Sequence, residues 1–270
     1  MSQTRVGDFN MEYYVEGKGP PLLMVAGFSG QASGWNEPFV RQLQQHLTTI
    51  RFSPRGTGTS DRLAGEITLR DLADDAAGLL TALGIDKAHV FGVSMGGMVA
   101  QELALNHPKR VQGLILGCTS CGGSHSVGAA PEVIALLMPQ PGLSREEQFR
   151  RAWPALATPE FLESHREVME EQLRKVLVNP TPIETSMRQM AAIQVSDSFD
   201  RLPQIKAPTL VLHGDRDILV PVANAHILKD RIPGAELRIV PGAGHVFTWE
   251  FPEESTALIV EFLTKVPVGA

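Results

Sequence analysis

Short apolar runs alternate with longer stretches of helical periodicity along most of the chain, and this alternation limits the possible folds more than any other feature. The candidate strands are 22–26, 47–52, 88–93, 111–117, 208–213 and 235–240. Their nearly continuous apolar character is typical of parallel strands covered by helices on both faces. We therefore predict an α/β fold with a mostly parallel central sheet, preceded by an antiparallel hairpin (5–8 with 11–15) at the sheet edge.

The alternation stops between about residues 122 and 200. No strand pattern is evident there, whereas helix N-terminal signatures crowd together, as in Ser144 with Glu147, Thr158 with Pro159, and Thr181 with Pro182. A helical block between two strands of a parallel sheet cannot lie within the sheet, so we expect it to cover the strand ends. The prediction is a core of residues 1–121 and 201–270 with a helical cap of residues 122–200.

Composition and charge exclude several classes of partner. The chain has 270 residues, 43% of them hydrophobic and 20% charged, and a formal net charge of −6 without a run of Lys or Arg. This argues against nucleic acid or an anionic membrane as a partner. The first residues lack the pattern of a secretory signal, and no apolar stretch approaches the ~20 residues that span a bilayer. With only two cysteines, we expect a protein of the cytoplasm; the oligomeric state stays open.

Ser94 is the strongest candidate for a nucleophile. It lies in Gly92-Val93-Ser94-Met95-Gly96, the only G-x-S-x-G in the chain, between a predicted strand and a predicted helix. Small flanking residues permit a strained tight turn, and backbone N–H groups at a helix N-terminus point at a developing oxyanion. The alternative is a glycine-rich turn that only packs a helix against a strand.

A serine hydroxyl needs a base, and the base needs a carboxylate. His245 lies in a glycine-containing loop just after the last predicted strand, whereas His213 lies inside a strand and is expected to be buried with its hydrogen bonds satisfied. Asp215 and Asp217 follow the preceding strand. The order Ser94, aspartate, His245 places all three at carboxyl ends of parallel strands, where open α/β sheets carry their sites. A metal site at 213, 215 and 217 is the alternative; it lacks a second ligand cluster, so we predict no metal.

These motifs resemble those of the α/β-hydrolase superfamily, in the branch of carboxylesterases, enol-lactonases, perhydrolases and C–C bond hydrolases. The resemblance covers nearly the whole chain and is least specific in the predicted cap. It implies the triad Ser94, Asp217 and His245, with Asp215 as a structural turn residue. It also implies an oxyanion hole formed by the backbone N–H groups of Met95 and Phe28.

Two positions depart from the family pattern. Ala26-Gly27 stands where relatives usually have His-Gly, so the first loop must be held by something other than a histidine. Ser53-Pro54-Arg55-Gly56 stands where relatives usually have Asp-x-Arg-Gly. Because both are supporting positions, they bear on loop geometry and substrate preference rather than on the reaction.

The expected reaction is the cleavage of carboxylic esters or lactones of small to medium size, without a cofactor. Perhydrolysis, C–C hydrolysis and a slow triad-bearing receptor are the alternatives. Cys118 and Cys121 are interpreted as thiols near the site rather than as a redox pair. Four methionines are most simply the core of the cap, and three of them (Met138, Met187 and Met190, but not Met169) are also possible substrate contacts.

Overall fold

The sheet of the computed structural model, which describes residues 1–62, 64–138 and 140–267, has eight strands in the order β1-β2-β4-β3-β5-β6-β7-β8. The first two strands pair antiparallel with Val6 opposite Phe9, β2 pairs antiparallel with β4, and the remaining pairs are parallel. The predicted fold class and edge hairpin are therefore confirmed. The strands are β1 (Ser2–Val6), β2 (Phe9–Gly17), β3 (Pro21–Val25), β4 (Thr48–Phe52), β5 (Ala88–Val93), β6 (Val111–Gly117), β7 (Thr209–Gly214) and β8 (Glu236–Val240).

Two apolar layers cover the sheet, one on each face. Along β3, Leu23 and Val25 belong to one buried cluster while Leu22 and Met24 belong to the other, which is the period-two alternation of a strand covered on both sides. The first layer contains residues of α2 (Leu69–Ala82), α3 (Met95–Asn106) and α9 (Ala223–Arg231). The second contains residues of α1 (Glu37–Leu43), α10 (Phe247–Glu250) and α11 (Pro252–Lys265).

Five helices lie between β6 and β7, in the segment 122–200 that we call the inserted segment. They are α4 (Pro131–Leu137), α5 (Arg145–Leu156), α6 (Pro159–Ser164), α7 (Arg166–Val178) and α8 (Ile183–Val195). The capping box expected at Ser144 and Glu147 starts α5. Gly122 and Asp197, at the two ends of the segment, form an isolated bridge. The segment is helical as expected, while its division from the core as a separate cap stays a prediction.

The inserted segment has a small core of its own, which also contacts the main fold. Trp153, Phe161 and Met169 are buried together, and Val246 and Trp249, which follow the candidate base, pack against them. The expectation that the methionines form this core is right for Met169. It is wrong for Met138 and Met187, whose exposed fractions are 45% and 67% because they lie on outward-facing parts of the segment.

In the ranges that the structure describes, no helix has both the length and the apolar character required to cross a bilayer.

Candidate active site

Ser94 lies at the sharp turn between β5 and α3, and its backbone is held in an unusual conformation. Its φ of 57° and ψ of −126° are unfavourable for a residue with a Cβ atom. The turn is possible because position 92 is a glycine: a Cβ there would lie 2.2 Å from the carbonyl oxygen of Gly96. The Ser94 N–H donates to Gly117 O (2.9 Å), and its carbonyl accepts from Thr119 Oγ1 (2.7 Å). The strand–turn–helix setting predicted for the nucleophile is therefore present.

Asp217 and His245 are joined by a buried hydrogen bond. His245 Nδ1 lies 2.8 Å from Asp217 Oδ2, and neither side chain is more than 6% exposed. The other carboxylate oxygen, Oδ1, accepts the N–H groups of Leu219 and Val220, each at 2.9 Å. Burial alone raises the pKa of Asp217, but His245 and His213 outweigh it and hold that pKa below its usual range. An ionised carboxylate only accepts, so His245 donates from Nδ1 and keeps the lone pair on Nε2.

His213 is a second histidine on the same carboxylate, and it was missed as such in the sequence. Its Nε2 lies 2.7 Å from Val220 O and 3.4 Å from Asp217 Oδ2. Because a carbonyl oxygen only accepts, Nε2 carries the proton. The prediction that His213 is buried is right. The prediction that it is satisfied is wrong, since Nδ1 has no partner in the described part of the chain. The signal available was the four-residue spacing to Asp217.

Two backbone N–H groups of the loop that carries His245 donate hydrogen bonds to carboxylates. Gly242 N donates to Asp215 Oδ1 (2.7 Å), which ties this loop to the one that carries Asp217. Gly244 N donates to Glu250 Oε2 (2.7 Å), and the other oxygen of that carboxylate accepts from Thr158 N (2.7 Å) in the inserted segment. The geometry at Asp215 fits the structural role that was expected for it. Glu250 gave no signal in the sequence, because a glutamate on a short helix is ordinarily a solvent-exposed charge.

The candidate oxyanion loop, residues 27–30, adjoins Ser94. A Cβ at Gly27 would lie 3.2 Å from Ser94 Cβ, and Gly30 N closes the turn by donating to Gly27 O (3.0 Å). Phe28, the first donor expected, lies in this turn with its side chain 42% exposed, and Met95, the second, is the buried first residue of α3.

One link of the predicted triad is not made. Within the described ranges, Ser94 Oγ forms no hydrogen bond with His245, although the carboxyl ends of β5, which precedes Ser94, and β8, which precedes His245, lie on the same edge of the sheet. Such contacts are often long without substrate and tighten in the reacting complex. The structure therefore brings Asp217 and His245 together, and the approach of Ser94 to His245 stays a prediction.

A family model described as the alpha/beta hydrolase fold matches residues 20–252. The chain belongs to the alpha/beta hydrolase family. It is 28% identical to a protein named putative carbamate hydrolase RutD from Azorhizobium caulinodans, over 96% of this chain and 97% of that protein. The enol-lactonase from Burkholderia xenovorans LB400 is similar in structure (TM-score 0.83, 26% identity, 98% of this chain and 100% of that one). So is a thermophilic esterase from Thermogutta terrifontis (TM-score 0.84, 28% identity, 99% and 100%). The resemblance stated from the motifs is confirmed, and the protein is an enzyme of the alpha/beta hydrolase type.

In this hydrolase, the inserted segment holds the loop that follows Ala26. All three polar groups of Ser29 bond to it: the N–H donates to Gln189 Oε1 (2.8 Å), the carbonyl accepts from Thr181 Oγ1 (3.0 Å), and the hydroxyl pairs with Ser186 Oγ (2.8 Å). The family pattern has a histidine at position 26, next to this loop. Here the loop is held instead by residues 152 to 160 positions further along the chain. Gln189 was missed, because a single glutamine on a helix carries no signal.

Ser53, the second departure, is compensated inside the core. Its hydroxyl donates to Glu12 Oε2 (2.7 Å) and accepts from Ala32 N (3.0 Å). Glu12 is only 4% exposed, so a buried carboxylate is present in this region although it comes from β2 rather than from position 53. Glu12 of β2 thus supplies a carboxyl acceptor near the loop, where the family pattern has an aspartate at position 53.

Cys118 is the thiol closest to the candidate site. Its Sγ and the ligand atoms of Asp217 and His245 all lie within 4.8 Å of one another, which makes them the group of potential metal ligands found among the described residues. Burial raises the pKa of Cys118 well above its ordinary value, so the thiol is neutral. Because His245 Nδ1 and Asp217 Oδ2 already bond to each other, we interpret the group as a hydrogen-bonded dyad with a neutral thiol beside it.

Proposed function

We propose that this enzyme hydrolyses carboxylic esters or lactones of small to medium size through an acyl-enzyme on Ser94. The observation that carries the proposal is the buried His245–Asp217 hydrogen bond of 2.8 Å, at the carboxyl ends of β7 and β8, on the same edge of the sheet as the strained turn of Ser94. Acyl transfer requires a carboxylate-oriented imidazole that can reach a serine at a helix N-terminus, and the approach of Ser94 to His245 is part of the proposal.

The proposed reaction has two steps, acylation and deacylation, joined by a covalent acyl-enzyme. Ser94 Oγ attacks the acyl carbon while His245 Nε2 takes the hydroxyl proton, and the N–H groups of Phe28 and Met95 stabilise the oxyanion. His245 then gives the proton to the leaving alkoxide. Water, activated by the same imidazole, releases the acid from the acyl-enzyme. Asp217 keeps the proton on Nδ1 throughout, which its lowered pKa favours.

The name of the relatives supports a second acyl class, carbamates. Proteins named putative carbamate hydrolase RutD match 90% or more of this chain at 25–30% identity. A carbamate passes through the same type of tetrahedral oxyanion as an ester, so the same five groups would serve. What differs is the nitrogen substituent on the acyl carbon, which would need a polar partner in the pocket.

The test is a turnover screen under identical conditions with p-nitrophenyl butyrate, an enol-lactone, a simple carbamate and a vinylogous diketone. We expect multiple turnovers on the ester or lactone and a covalent adduct of a fluorophosphonate on Ser94. Cleavage of the carbamate faster than of the ester would favour the second class. Rapid cleavage of the diketone without ester turnover would replace the proposal by C–C hydrolysis, and a single turnover on every substrate would indicate a receptor.

A further inference from the structure

The turn of the oxyanion loop depends on Ser29 adopting a conformation that a serine rarely takes. Its φ is +56°, in the left-handed region. In the turn from Gly27 to Gly30, Ser29 is the third residue, and Phe28, the second, has a negative φ. This is the pattern of a type II turn, in which glycine or asparagine is preferred at that position. A serine there must be held by its surroundings.

Among the described residues, the hydrogen-bond partners of Ser29 all lie in the inserted segment. Gln189 contacts the backbone N–H, Thr181 the carbonyl and Ser186 the hydroxyl. Gln189 is fully buried, so its Oε1 is itself shielded from solvent. On the same face of α8, Thr185 lies against Gly56 and Ala192 joins the main core, so the helix is docked on both sides of Gln189.

The Nε2 group of Gln189 shows what the glutamine costs at this position. Nε2 is buried and has no hydrogen-bond partner among the described residues. A buried donor without an acceptor is destabilising, and methionine would fill a similar volume without that cost. A flipped amide would bring Nε2 against the Ser29 N–H, donor to donor, so the acceptor fixes the orientation. Gln189 thus supplies an acceptor to Ser29 in spite of its unsatisfied Nε2.

We propose that Gln189 is a positioning residue of the oxyanion hole: its Oε1 holds Ser29 in the left-handed conformation, and this orients the neighbouring Phe28 N–H toward the reacting carbonyl. The inference rests on the proposed acyl-transfer function. It makes α8 a part of the machinery that stabilises the oxyanion, while the proton-transfer dyad remains in the core. Position 26 is Ala, where relatives usually have His, so no histidine at this position supports the first loop.

The experiment compares three variants with the wild-type enzyme. Gln189→Met removes the acceptor at similar volume, and Gln189→Glu keeps an acceptor oxygen. Gln172→Met is the matched control, because Gln172 is also a buried glutamine of the inserted segment, on α7, but its amide contacts Trp35 O (3.5 Å). The readouts are kcat and KM for p-nitrophenyl butyrate, the rate of Ser94 labelling by a fluorophosphonate, and hydrogen exchange over residues 27–32.

We expect Gln189→Met to lower kcat and the labelling rate by about 10- to 100-fold with KM changed less than threefold. This is below the 10²–10³ that follows complete loss of an oxyanion donor. Exchange over 27–32 should rise and the pH profile should keep its shape. Gln189→Glu should retain more of the rate than Gln189→Met, and Gln172→Met should stay within threefold of wild type. Adding Ser29→Gly to Gln189→Met should recover part of the rate, since glycine adopts positive φ freely.

Equal losses in Gln189→Met and Gln172→Met, or a Gln189→Glu variant as slow as Gln189→Met, would overturn the proposal. If Gln189→Met does not fold, Thr181→Val removes another bond to Ser29 and must raise exchange over 27–32 for the proposal to stand. A wild-type enzyme that turns over no ester would refute the proposed function. Labelling and hydrogen exchange would still decide the role of Gln189.

Discussion

The two halves of the candidate site are supported by different parts of the molecule. Asp217 is held by backbone N–H groups two and three residues further along its own loop and by His213 on the strand before it. Ser29, in the oxyanion loop, is held by side chains more than 150 residues away. The half that transfers protons, Asp217 with His245, therefore has its acid held by residues of the core. The oxyanion half depends on how the inserted segment docks.

This difference has a consequence for substitutions. A change in the inserted segment can reach the oxyanion loop through Ser29. It can reach the loop of the base through Glu250, through the Val246 N–H, which donates to Leu156 O (3.0 Å), and through the packing of Val246 and Trp249 on the segment. We therefore expect substitutions in the inserted segment to change substrate range and rate together, and substitutions in the core loops to change the rate alone.

The largest expected effect removes the group that both halves serve. Ser94→Ala should lower kcat for p-nitrophenyl butyrate by several powers of ten, because triad members act as a unit and the remaining groups have no nucleophile to assist. The measurement is steady-state hydrolysis, with the melting temperature as a control for the fold. A variant with activity within tenfold of wild type would mean that another group is the nucleophile.

The next effect tests the core-held half. Asp217→Asn should lower kcat by ~10⁴, because the amide favours the wrong tautomer of His245. Asp215→Asn is the matched control in the same loop: it weakens the bond to Gly242 N and should act mainly on stability, by about 1 kcal/mol. Thermal unfolding and kcat separate the two. A reversed order of the two kcat values would make Asp215 the acid.

A third effect concerns stability and again separates core from inserted segment. Burial of His89 on β5 lowers its pKa to about 4, and its Nδ1 has no partner in the described ranges. Its folded pKa lies below the unfolded value of ~6.5, so the unfolded state binds more protons between these values. Stability from this residue is full above pH ~6.5 and is lost as the pH falls toward 4, by about 3 kcal/mol at most.

Thermal or urea unfolding at pH 7, 6, 5 and 4 measures this loss. His89→Gln should flatten the acid limb of the curve, whereas His165→Asn, at an exposed position of the inserted segment, should leave it as in wild type. An acid limb that is unchanged in His89→Gln would assign the loss to the carboxylates instead.

The core was predictable from the sequence because its signals are local. Strand positions follow from apolar runs, the turn at Ser94 from its glycines, and the pairing of His245 with an aspartate from the order of motifs after strands. The choice of Asp217 over Asp215 came from the family resemblance. The support of the oxyanion loop was not predictable, since no local pattern distinguishes Gln189 from any other helical glutamine. What Ala26 did predict is that some replacement for a histidine must exist. Met138 and Met187 illustrate the same limit, because composition does not say which face of a helix packs inward.

The smallest effect tests whether the inserted segment also sets substrate range. Met190 is half-buried on α8 next to Gln189, whereas Met187 is two-thirds exposed on the same helix, which makes the pair a matched comparison. If the segment encloses a pocket of limited volume, p-nitrophenyl esters should be hydrolysed best at short and medium chain length and poorly at palmitate. Met190→Ala should shift that preference toward longer chains with KM changes of about two- to tenfold, the size of an apolar contact of ~1 kcal/mol, and Met187→Ala should shift it less. The measurement is kcat/KM from acetate to palmitate below the solubility limit. Rates that peak at palmitate with activation at an oil–water interface would mean an open groove, and the comparison between the two regions would then hold for the oxyanion loop but not for substrate size.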